Sequence, residues 1–127
     1  MPNNQALQYR SLELETKVAN ASPHELIQML FEGAIERLLQ AKACAERGDI
    51  SAKGAFLSKA LGIVGGLRES LNMEMESDIP QNLDRLYEYI QLRLIRGNLD
   101  EDNSAFSECI ELIKTIKSGW EGIADQV

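Results

Sequence analysis

Apolar residues recur at every third or fourth position in four successive segments of this chain, and the polar joints between the segments are only a few residues long. That combination leaves few architectures open. Amphipathic helices joined by about 2 to 6 residues must reverse direction and pack side by side, so the chain is expected to form an all-α, antiparallel up-down-up-down four-helix bundle. At 127 residues it is one domain by length, with room to bury a core without a metal or disulfide staple.

The helix starts carry the sharpest signals. In Ser22-Pro23-His24-Glu25, the serine can cap, the proline suits the first helical position, and Glu25 stands where a capping box wants a carboxylate. The first helix is expected over about 23–47, closing at Gly48, with Ile27, Leu30, Phe31, Ala34, Leu38 and Ala41 inward. Asp49 caps a second helix over about 50–72 whose core face holds Phe56, Leu57, Ala60, Val64, Leu67 and Leu71. Ser77 or Asp78 opens a third over about 79–97, with Pro80 in its first turn and Ile79, Leu83, Leu86, Tyr87, Ile90 and Leu94 facing the core. The fourth covers about 102–124 and points Phe106, Cys109, Ile110, Ile113, Trp120 and Ile123 inward.

Residues 22–127 therefore make the bundle. In residues 1–21, Leu7, Tyr9, Leu12, Leu14 and Val18 mix period-two with helical spacing. This stretch reads as a partly mobile N-terminal arm with apolar side chains available for docking.

Several function classes are disfavoured. A net charge of −7, with 13 lysines and arginines scattered rather than clustered, repels phosphate and argues against nucleic acid as a partner. The opening MPNNQALQYR lacks a basic-then-apolar signal pattern. No apolar run approaches the ~20 residues of a membrane span, so a cytosolic protein outside the membrane is expected. Cys44 and Cys109 stand 65 positions apart without a CxxC pairing, which suits reduced, apolar filler residues.

Catalytic patterns are lacking too. The single histidine, His24, sits in a first helical turn beside a proline, where a surface or capping role fits better than phosphotransfer. No Glu-x-x-His pairs suggest a di-iron cage, and no strand leads into a glycine-rich phosphate loop. The chain is expected to be no enzyme and to need no cofactor.

The second helix is anomalous. Within GAFLSKALGIVGGLRES (54–70), Gly54, Ser58, Gly62, Gly65 and Gly66 share the side of the helical wheel opposite the large apolar residues. A surface helix ordinarily fills that side with lysine and glutamate, and each interior glycine costs about 1 kcal/mol relative to alanine. The third helix has a companion irregularity in Leu92 and Ile95, which fall nearly opposite its core face. Small residues admit another backbone, and neighbouring apolar groups add burial at about 25 cal/mol per Å². A helical peptide partner, self-association or arm docking, and no function at all remain open on this pattern alone.

Four stretches go further: ASPHELIQMLFEGAI (21–35), GDISAKGAFLSKALGIVGGLRESL (48–71), NLDRLYEYIQLRLIRGN (82–98) and SGW (118–120). In this order and spacing the chain resembles the flagellin-specific secretion chaperones of bacterial flagella, the FliS family, from about Tyr9 to its end. That resemblance implies a cytoplasmic four-helix bundle that binds the disordered C-terminal segment of flagellin, prevents premature polymerisation and hands the client to the membrane export gate of the flagellar secretion apparatus. In some members it implies binding of the flagellar anti-sigma factor as well.

Tyr9 matches an arm tyrosine, and the resemblance implies that the arm covers part of the client surface when flagellin is absent. Leu86, Tyr87 and Tyr89 match a Leu-Tyr-x-Tyr motif, although Leu86 and Tyr87 look like core by periodicity. The joint MEMESDIP departs from the family by lacking a glycine pair and by placing Pro80 where a small residue is commoner. The client-binding set expected from the stripe and the resemblance is Tyr9, Gly54, Ser58, Gly62, Gly65, Gly66, Leu92 and Ile95. The rival is a self-associating bundle or adaptor that uses the same trough for dimerisation.

Overall fold

The computed structural model describes residues 19–122. Most of the expected arm, including Tyr9, and the inward position expected for Ile123 lie outside the described residues. Four helices follow one another: α1 (Pro23–Glu46), α2 (Ile50–Glu69), α3 (Ile79–Leu99) and α4 (Ser104–Gly122). Each packs against its neighbours in sequence, and α4 closes the ring against α1. The expected antiparallel all-α bundle is the architecture observed.

Local chemistry explains the starts. Ser22 Oγ accepts the Glu25 amide at 3.2 Å with Pro23 in the first turn, and an Asp49 carboxylate oxygen accepts the Ala52 amide at 3.2 Å. Between α1 and α2 the chain reverses in three residues. Gly48 there takes φ +73, a left-handed conformation that glycine adopts without a side-chain clash. At α3 it is Ser77 Oγ that accepts the Ile79 amide, at 3.2 Å, while Asp78 makes no side-chain cap.

The core is a single cluster fed by all four helices. Phe31, Leu38, Val64, Leu67, Ile90, Leu94, Phe106 and Ile113 are essentially sealed from solvent, with Ala34, Ala41 and Ala60 allowing close approach between them. Burial pushes the Tyr87 phenol up to about 12 and the Cys109 thiol up to about 12. Cys44 and Cys109 are both free and buried, as expected.

Some expectations are corrected. Ile79 was placed in the core by periodicity but is 52% exposed; it sits in the first turn of α3, above an apolar cavity of about 220 Å³ that it shares with Phe31, Leu83, Tyr87, Ile116 and Trp120. Gly97 does not end α3, which continues to Leu99. It serves a close contact instead: a Cβ there would stand 2.3 Å from the Ala105 Cβ and 3.2 Å from the Asp102 carbonyl oxygen. By length and composition alone α2 is long and apolar enough to cross a membrane. Its Leu57, Ala60, Val64 and Leu67 are nonetheless buried in the bundle.

Candidate functional site

The small-residue side of α2 divides between two seams. Gly66 turns towards α1, where its missing Cβ would lie 4.0 Å from Leu30 Cδ1, and in the mirror contact the missing Cβ of Gly33 on α1 would lie 3.4 Å from Ile63 Cδ1. Gly65 turns towards α3, with Gln91 Nε2 3.6 Å from its missing Cβ. Gly54 and Gly62 have open space where a side chain would be, and Ser58 is exposed. None of these positions is sealed in the interior.

Leu92 and Ile95 are 59% and 45% exposed. They belong to an open groove of about 430 Å³ between α2 and α3, lined by Leu61, Arg68, Glu88, Gln91, Leu92 and Ile95. The antiparallel packing of α2 on α3 therefore brings Gly65, Leu92 and Ile95 together on one seam. Ser58 and Gly62 lie earlier on α2, Gly54 lies towards its start, and Gly66 falls on the other seam.

Sequence reasoning missed the polar end of this groove. Arg68 reaches from α2 to α3: its Nε and Nη2 donate to the two carboxylate oxygens of Asp84 at 2.9 and 3.3 Å, Nη1 donates to Gln91 Oε1 at 3.0 Å, and Nη2 lies 3.6 Å from a Glu88 oxygen. The hydrogen bond between Arg68 and Asp84 raises the arginine pKa and holds the Asp84 carboxyl below its ordinary range. Leu61 is half-buried and forms the α2 wall. The available signal was a cation on one helix with Asp84 and Glu88 at (i, i+4) spacing on the next, but it could be used only once the helix register was known.

A second network fixes α3 to α4. Arg93 pairs with Asp102 at 3.1 Å and Glu108 at 3.2 Å, and Tyr89 donates its hydroxyl to Glu108. Of the Leu-Tyr-x-Tyr motif, Tyr87 is core, Leu86 is half-buried, and Tyr89 serves this network. His24 is neither a free surface group nor a cap: its ring stacks on Trp120 and its Nδ1 is buried. Among the described residues no group of three or more histidine, cysteine, aspartate or glutamate side chains could hold a metal ion.

Along the α2–α3 seam this helical bundle keeps a groove open to solvent, with Leu61, Leu92 and Ile95 as its apolar lining and Arg68, Glu88 and Gln91 as its polar one. The family model for flagellar protein FliS matches residues 3–127. The chain is 46% identical to the flagellar secretion chaperone FliSB of Pseudomonas aeruginosa over 117 residues, covering 92% of this chain and 93% of that protein. It is 42% identical to the flagellar secretion chaperone FliS of Vibrio cholerae over 115 residues (91% and 85% of the two chains). With the FliS of Salmonella typhimurium it shares 41% over 117 residues (91% and 87%). The chain belongs to the FliS family of flagellar secretion chaperones.

Proposed function

We propose that this protein is a cytosolic, non-enzymatic export chaperone that binds the C-terminal segment of flagellin, keeps it from polymerising and delivers it to the export gate of the flagellar secretion apparatus. The observation that carries the reading is the α2–α3 groove, where Leu92 and Ile95 stand exposed beside Gly65 in a member of this family. A client segment that coils on contact would lay its apolar face against Leu61, Leu92 and Ile95. Its backbone would approach α2 at Gly62 and Gly65, with Ser58 and Gly54 extending the floor towards the start of that helix.

The energetics suit a carrier. Burying apolar surface drives docking, while ordering a disordered segment costs part of that gain, so binding stays reversible enough for release at the gate. The test is isothermal titration calorimetry with full-length flagellin and with flagellin lacking its C-terminal segment. A 1:1 complex with a negative heat-capacity change, lost on truncation, is the expected result. Equal binding of both forms would overturn the assignment of the client segment. Light scattering that gives a stable dimer unable to accept flagellin would favour the self-associating alternative.

A further inference from the structure

Gln91 stands over Gly65 at the floor of the groove, and the chemistry of its neighbour decides which way its amide faces. An arginine guanidinium carries donors and no acceptor, so the amide atom that meets Arg68 Nη1 at 3.0 Å must be the carbonyl oxygen. The amide nitrogen is thereby turned to the other side, 3.6 Å from the missing Cβ of Gly65. The guanidinium is held in turn, since Nε and Nη2 are both committed to Asp84. This anchoring needs a planar fork: a lysine has one nitrogen on a flexible stem and cannot grip Asp84 twice while also holding the amide.

The anchoring has a consequence for the groove. A free glutamine samples many rotamers, and ordering it on binding costs on the order of 0.5–1.5 kcal/mol. With Oε1 held by Arg68, the amide is set before any client arrives. Gln91 lines the groove beside Leu61 on α2 and Leu92 and Ile95 on α3, so an amide held in this way would offer its nitrogen as a donor among those apolar side chains. Gly65 provides the space: a larger side chain at that position would crowd the amide and block approach to it.

Resting on the chaperone reading, we propose that Gln91 is a specificity-determining residue of the groove, donating from Nε2 to an oxygen acceptor on an otherwise apolar client helix, and that Arg68 is the positioning residue that sets its amide. The preferred client face thus carries a serine, threonine, asparagine or glutamine oxygen, or a helix-terminal carbonyl, among its apolar side chains.

The test is calorimetric titration of a flagellin C-terminal peptide into the intact protein and into Gln91→Ala, Gln91→Glu, Arg68→Met and Arg68→Met/Gln91→Ala. A lost hydrogen bond corresponds to a roughly fivefold to tenfold weakening, and that loss is expected for Gln91→Ala. The same loss is expected for Gln91→Glu, which keeps the tie to Arg68 but has no donor. A merely structural tie between the helices would leave Gln91→Glu binding like wild type. Arg68→Met is expected to weaken binding alone and to add nothing once Gln91 is alanine. Wild-type affinity in Gln91→Glu, or an undiminished Arg68→Met effect in the Gln91→Ala background, overturns the proposal while leaving the chaperone function standing. A wild-type protein that does not bind the peptide contradicts the function itself, and this role with it.

Discussion

His24 and Trp120 stack with ring centroids 4.9 Å apart and planes 14° from parallel, joining the first turn of α1 to the last turns of α4. Beside the stack, Gln28 Nε2 donates to Glu121 Oε1 at 3.0 Å. The first and last helices are thus fastened at one end of the bundle, and the two rings come from stretches nearly a whole chain apart. Stacked rings contribute about 0.5–1.5 kcal/mol beyond the area they bury. A double-mutant cycle of His24→Ala and Trp120→Ala, followed by urea denaturation, is expected to return a coupling in that range. Strictly additive losses would show that the rings merely lie near each other.

Gly54 and Gly62 have nothing within 4 Å of the position a Cβ would take. Alanine at either site removes the helix-propensity penalty without a clash, so each substitution is expected to stabilise the bundle by about 0.5–1 kcal/mol. The denaturation midpoint of each variant checks this. A glycine kept where alanine is more stable points to a constraint other than folding, and at Gly62 the expected constraint is client approach. Gly62→Leu is therefore expected to leave the fold intact and to weaken flagellin binding.

Gly97 behaves in the opposite way. Its missing Cβ would lie 2.3 Å from that of Ala105, so Gly97→Ala forces α3 and α4 apart at their joint and is expected to cost about 1–3 kcal/mol. Thermal unfolding of Gly97→Ala beside Gly62→Ala makes the comparison. Equal melting temperatures would refute the close-contact account.

Acid should loosen the bundle within a defined window. Asp84 is lowered first by its hydrogen bond to Arg68, Asp102 by Ser104 and then Arg93, and Glu108 by Tyr89 and then Arg93. A carboxylate with a depressed folded-state pKa contributes stability that is fully present above its unfolded value and is lost as pH falls through the folded one. Stability is expected to be level from neutral pH down to about 5 and to decline below about 4. Arg68→Met should flatten that decline in part. An unchanged acid limb in this variant would show that the Arg68–Asp84 pair is not coupled to folding.

The fold was legible because its determinants are local. Ser22, Asp49 and Ser77 each announce a helix start through a side chain that must satisfy a nearby amide, and the apolar period needs only the helix geometry to be read. The site was legible in part. The wheel separates Leu92 and Ile95 from the core face of α3, but it cannot tell that Gly65 faces α3 while Gly66 faces α1, because that depends on which neighbours flank α2. For the same reason Arg68, Asp84 and Gln91 gave no signal as a set: they are 16 and 23 positions apart, and only the antiparallel register brings them together. Ile79 misled the periodic reading because a first helical turn lies at the rim of a bundle, where the core face opens to solvent.

The central claim, that the α2–α3 groove receives the flagellin C-terminal segment, is tested most directly by titrating that peptide into the wild-type protein and into Leu92→Ser/Ile95→Ser. Both side chains are exposed, so the variant is expected to melt like the wild type. It is also expected to bind at least about tenfold more weakly than a wild type that forms a 1:1 complex. Equal affinity in the two proteins would contradict the account.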